Sequence, residues 1–130
     1  MKTLAIFPIL LLGTPLLAQA TTPRALIDGY TAQSGIAPSA DRGQAMFLSR
    51  QSGGKPDTPS CTTCHTQDPR KPGQARTGKP IDPLAPSVNA LRFTDTKFVE
   101  KWFGRNCNSV LGRACTAAEK ADFITWLESL

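Results

Sequence analysis

The sequence predicts a small, all-α, loop-rich domain. Three observations carry that reading. Apolar residues recur at helical spacing in four separate segments, and no stretch alternates apolar and polar residues as a half-buried strand does. A proline-rich run from 67 to 87 excludes regular structure over one long connection. At 130 residues the chain is long enough for one domain and a targeting segment, not for two independent cores.

Residues 1–20 read as a secretory signal peptide. Lys2 precedes the apolar run from Leu4 to Leu12, Gly13 and Pro15 break it, and Ala18-Gln19-Ala20 supplies a small-residue cleavage site. The run falls far short of the ~20 apolar residues a bilayer span needs. The expected product is therefore a periplasmic domain of residues 21–130 with no membrane span after processing, in a compartment that permits oxidised cysteines.

Within that domain, Ala25, Leu26, Ile27 and Tyr30 mark a first helix ending near Gly29 or Gly35. Asp41 with Gln44 has capping-box spacing and opens a second, carrying Ala45, Met46, Phe47 and Leu48 to about Arg50. Residues 52–60 are turn-rich and lead towards the proline-rich loop. Thr94 or Asp95 starts a third helix with Phe98, Val99, Trp102 and Phe103, expected to stop near Gly104. Thr116 with Glu119 opens a fourth, placing Phe123, Ile124, Leu127 and Leu130 on one face. Four modest helices and a long loop make a thin core, which points to a bound group at the centre.

Fifteen Lys and Arg against ten Asp and Glu give a formal charge of +5. The basic residues are scattered singly, nowhere denser than Arg70-Lys71, and are accompanied by one Tyr. This is a solvated surface and not a nucleic-acid groove.

The central group is indicated by Cys61-Thr62-Thr63-Cys64-His65, the C-x-x-C-H attachment motif of c-type haem. Thiols at this spacing reach the two vinyl groups of one porphyrin, and the adjacent His ligates the iron from the proximal side. A thioredoxin-like pair would want a βαβ setting that is not visible. A zinc site of Cys61, Cys64, Cys107 and Cys115 would have its second pair too widely spaced. A plain disulfide scaffold would leave the only His unexplained. With Cys61 and Cys64 used by haem, Cys107 and Cys115 remain as a pair whose separation allows a bridge worth about 2–3 kcal/mol.

The far side of the iron has no obvious strong ligand. Met1 leaves with the leader, and Met46 precedes the motif on an apolar helical stripe, where it reads as core packing. The site is open or filled by a weaker donor such as Asn, Lys or Tyr, with Asn106 and Asn108 as natural candidates beside Cys107. A neutral amide oxygen is a hard, weak donor that suits ferric iron better than ferrous iron. Phe47, Trp102, Phe103, Phe123 and Trp126 would form an apolar shell, and Arg76, Lys79 or Arg92 would meet the haem propionates.

Thr77-Gly78-Lys79, Pro83-Leu84-Ala85-Pro86-Ser87, Arg92-Phe93-Thr94-Asp95, Val99-Glu100-Lys101-Trp102 and Arg105-Asn106-Cys107, together with the C-x-x-C-H, resemble the SHP-type (sphaeroides haem protein) cytochromes c. The resemblance runs from about Ala25 to Leu130. It implies a class I cytochrome c fold around one covalently attached haem c, with His65 as proximal ligand and Asn106 as distal ligand of the oxidised form. It implies a Cys107–Cys115 disulfide, loss of the Asn ligand on reduction, and binding of oxygen, nitric oxide or carbon monoxide. The implied electron donor is a dihaem cytochrome c or a membrane cytochrome b. No catalytic residue is assigned, and the protein reads as an electron-transfer and ligand-binding protein. A plain electron carrier and a haem-based gas or redox sensor are the rival readings.

Overall fold

The computed structural model describes residues 20–130. The leader expected over residues 1–20 lies outside the described residues apart from Ala20. The elements run α1 (Pro23–Ser34), α2 (Ala40–Leu48), α3 (Thr62–His65), β1 (Gly73–Gln74), β2 (Pro80–Ile81), α4 (Thr96–Leu111) and α5 (Ala117–Glu128).

Helix α5 is the centre of the packing, with α1 and α2 both lying against it. Phe47, Ile124 and Leu127 are fully enclosed, each worth about 1.5–3 kcal/mol relative to an exposed side chain. The α2–α5 crossing is a backbone contact: a Cβ on Gly43 would strike the Asp122 carbonyl. The buried Asp122 carboxylate ties the two helices by accepting from Ser39 N (2.7 Å), Arg42 Nε (2.7 Å) and Arg42 Nη2 (2.8 Å). Aromatic edges extend this core into α4, through Phe103 against Tyr30 (6.3 Å) and against Phe123 (5.7 Å).

Helix α5 starts as expected, with Thr116 and Glu119 forming a capping box. Three expectations are corrected. Helix α2 begins earlier, because Ser39 and not Asp41 caps it by accepting from Arg42 N. A short additional helix, α3, forms around the C-x-x-C-H motif, making five in all among the described residues. Most consequentially, α4 does not stop at Gly104. Val99, Phe103, Cys107 and Val110 form a buried stripe that continues past it, outweighing the ~1 kcal/mol cost of an interior glycine. The helix ends only at Gly112, whose left-handed φ of 72° closes it.

The proline-rich run is not wholly irregular. Its centre is an antiparallel hairpin with Gly73 opposite Ile81 and Gln74 opposite Pro80. The hairpin is closed by Ala75 N–H donating to Lys79 O (2.8 Å), with Gly78 at φ 83°. Two residues per strand carry too little alternation to be read from sequence.

Candidate functional site

Helix α3 is a single turn that carries the motif. Cys61 sits at its N-cap, and Thr66 takes the chain out of it in a left-handed conformation with φ 60°. A spacing of three puts Cys61 and Cys64 on one face of that turn. Both are free, half-buried thiols. A Cβ on Gly73 would strike the Cys64 carbonyl, so the glycine lets the hairpin pack directly against the motif.

Burial pushes the Cys61 thiol up to about 11. A reactive dithiol needs the opposite shift, so the thioredoxin-like alternative loses its chemical basis. Burial also pulls His65 down to about 4, with the Arg92 charge adding to the effect. The imidazole is therefore neutral at physiological pH and keeps a lone pair for a metal. Phe47 backs this ring at 6.4 Å and itself packs on Trp126 at 4.9 Å. The zinc alternative has no geometry either. Cys107 is bridged to Cys115, with Cα atoms 5.6 Å apart, and no three His, Cys, Asp or Glu residues converge among the described residues.

The two thiols and His65 open onto a cavity of about 1200 Å³. Buried Leu84, Phe93, Val99 and Phe103 make much of its wall apolar. Phe98 and Trp102 also line it, yet remain 48% and 39% exposed, which is unusual for large aromatics without a covering partner. A large planar apolar group, fixed through two thiols and one neutral imidazole, fits this wall.

The structure separates the two asparagines that the sequence left equivalent. Asn106 lines the cavity from α4. Asn108 is not on the wall and donates from Nδ2 to Gly104 O at 2.8 Å, back along its own helix. Because α4 runs on to Leu111, Asn106 stands in the body of a helix and not at its end. Arg76, Lys79 and Arg92 all reach the wall. Arg92 donates from Nε to Pro83 O (2.8 Å) and from Nη2 to Asp82 O. Met46 packs against the buried cluster as expected and also touches the cavity. Trp102 and Phe98 belong to the cavity mouth, whereas Trp126 and Phe47 lie behind His65.

Sequence reasoning missed Arg105 and the Thr58–Ser109 contact. Arg105 stacks over Trp102, with Cζ 5.4 Å from the ring centroid. Their spacing of three on a helix was the available signal. Thr58 and Ser109 belong to no motif.

Comparison with known proteins gives the family. A profile described as "Domain of unknown function (DUF1924)" matches residues 33–127. The chain is 61% identical to cytochrome c-type protein SHP of Cereibacter sphaeroides over 116 residues, 89% of this chain and 90% of that one. The chain belongs to the SHP-type cytochromes c. Its cofactor is one covalently bound haem c, and its architecture is the all-α cytochrome c fold. The structure of oxidised SHP, described as an oxygen-binding cytochrome c, superimposes with a TM-score of 0.83 at 60% identity, covering 85% of this chain and 99% of that one. Cytochrome c'' of Methylophilus methylotrophus is 42% identical over 70% of this chain and 64% of its own. Its oxidised crystal structure gives a TM-score of 0.70 over 82% of this chain and 93% of that one. A solution structure of the same cytochrome c'', concerned with haem-ligand detachment, gives 0.69 over 83% and 93%. No helix among the described residues is long and apolar enough to cross a membrane.

Proposed function

We propose that this SHP-type cytochrome is an electron-transfer protein whose Asn106 ligates the oxidised haem iron and leaves it on reduction, opening a site for oxygen, nitric oxide or carbon monoxide. The single observation that carries the reading is that Asn106 and His65, from α4 and α3, line one cavity, while Asn108 turns back onto its own helix. When bound, the haem supplies a one-electron couple and an iron that takes two axial ligands. Cys61 and Cys64 attach it, and neutral His65, backed by Phe47, provides the fixed axial bond. Asn106 offers a neutral amide oxygen, a hard donor that holds ferric iron and holds ferrous iron weakly. The oxygen binding described for SHP and the ligand detachment described for cytochrome c'' support the same reading.

The protein acts in the periplasm as residues 21–130, after removal of the leader. Its electrons come from a dihaem cytochrome c or a membrane cytochrome b. The exposed cations Lys55, Arg76, Lys79 and Arg105 at the cavity favour docking of an acidic partner face.

Optical and EPR spectra of oxidised and reduced protein, with and without carbon monoxide, test the proposal. The oxidised form is expected to be low-spin, and the reduced form high-spin and reactive with carbon monoxide. Asn106→Ala turns the oxidised form high-spin, while Asn108→Ala and Met46→Leu leave it low-spin. A low-spin reduced form inert to carbon monoxide would leave a plain electron carrier instead.

A further inference from the structure

Of the Arg105-Asn106-Cys107 element, Asn106 and Cys107 have roles within the fold, whereas Arg105 so far contributes only its charge to the docking face. Its surroundings give it a further role. Arg105 lines the cavity from α4 beside Asn106, and its guanidinium lies over the Trp102 indole, with Cζ 5.4 Å from the ring centroid. That stacking holds a planar, weakly hydrated cation in one orientation. The other arginines at the cavity are already engaged: Arg76 pairs with Asp57, and Arg92 donates to the carbonyls of Asp82 and Pro83. Among the described residues no carboxylate pairs with Arg105. Its five N–H donors thus stand at the cavity without an acid to neutralise them.

We propose that Arg105 is the specificity-determining residue of the sixth coordination site, favouring small ligands that carry negative charge on the atom away from the iron. This inference rests on the reading that Asn106 vacates that position. Once the amide is gone, the neighbouring guanidinium supplies a charge-assisted hydrogen bond to an anion or a charge-accepting diatomic molecule. Carbon monoxide, with little charge on its oxygen, gains little from it. Trp102 acts through Arg105 as a positioning residue.

Lys101 provides an internal control. Its Nζ approaches the same Trp102 ring at 5.9 Å, but Lys101 is not on the cavity wall. Neutralising either residue changes the net charge equally, so a long-range effect would not distinguish them.

The test uses azide as the anionic probe and carbon monoxide as the neutral one, on haem-loaded protein. In the oxidised Asn106→Ala background, Arg105→Gln is expected to weaken azide binding about tenfold, with Arg105→Lys intermediate and Lys101→Gln unchanged. In reduced protein with Asn106 intact, Arg105→Gln should change carbon monoxide affinity by less than about twofold and raise the C–O stretching frequency, because a positive donor has been removed. Equal azide loss in Arg105→Gln and Lys101→Gln, or an unmoved stretching frequency, would overturn the proposal. So would an unchanged azide affinity accompanied by a shifted reduction potential, which would place Arg105 on a haem propionate. Failure of reduced wild-type protein to take up carbon monoxide would instead defeat the Asn106 reading. The azide series remains decisive for Arg105 in that case, since the alanine opens the site in the oxidised state.

Discussion

The Thr58 hydroxyl donates to the Ser109 carbonyl at 3.0 Å and meets the Ser109 hydroxyl at 2.8 Å. With the Thr58 proton used on the carbonyl, Ser109 is left to donate to Thr58. Lys55 N–H adds a second bond to that carbonyl at 2.7 Å. Thr58 is buried, three residues before Cys61, and Ser109 lies three residues after Asn106. The contact thus latches the segment that attaches the haem to the helix that presents the distal amide. Thr58→Val keeps the side-chain shape and strands the Ser109 hydroxyl, at a cost of about 1–3 kcal/mol. We expect a larger high-spin fraction in the oxidised protein and faster carbon monoxide binding after reduction, with Thr58→Ser restoring both. A drop in Tm with an unchanged ferric spectrum would make the contact purely structural.

The disulfide acts on the same helix from the other direction. Cys107 follows Asn106 within α4 and is joined to Cys115, which precedes the α5 cap. Cys115→Ser should cost about 2–3 kcal/mol in urea unfolding and weaken ferric ligation by letting α4 shift. Lost stability with ferric ligation intact would reduce the bridge to a staple.

Two glycines should respond in opposite senses. Gly104 lies in α4, and a Cβ added there would meet nothing within 4 Å, so Gly104→Ala is expected to stabilise the protein by about 0.5–1 kcal/mol. Gly43→Ala drives a methyl into the Asp122 carbonyl and should cost about 1–3 kcal/mol. Thermal melts of both variants, followed at the haem and in the far ultraviolet, check the pair.

Acid should loosen the start of α5. Hydrogen bonds from Arg113 hold the Glu119 carboxyl below its ordinary value of 4.5, despite some burial. A lowered folded-state value means the stabilisation is complete above about pH 4.5 and disappears as pH falls through the folded-state value. Glu119→Gln keeps an acceptor for the cap but loses the charge-assisted bonds from Arg113. It should therefore lower stability to urea at pH 7 by about 0.2–1 kcal/mol and differ little from wild type once the pH is below the folded-state value. A constant gap across that range would exclude the carboxylate as the cause.

Local chemistry was legible in the chain. The C-x-x-C-H spacing specifies a haem, and Thr116 with Glu119 specifies the start of α5, because each signal acts within one turn of backbone. The extent of α4 was not legible. Gly104 is a local stop signal, and it was overridden by Val99, Phe103, Cys107 and Val110 burying a common stripe, an energy that exists only in the folded chain. The hairpin at 73–81 was hidden for a related reason, since two residues per strand carry no periodicity. By itself the sequence determined what is bound. Only the tertiary structure placed Asn106 and Arg105 on the cavity wall, turned Asn108 away and latched Thr58 to Ser109. Those relations depend on the rotation of one helix about its axis, which is set by side chains distant in the chain.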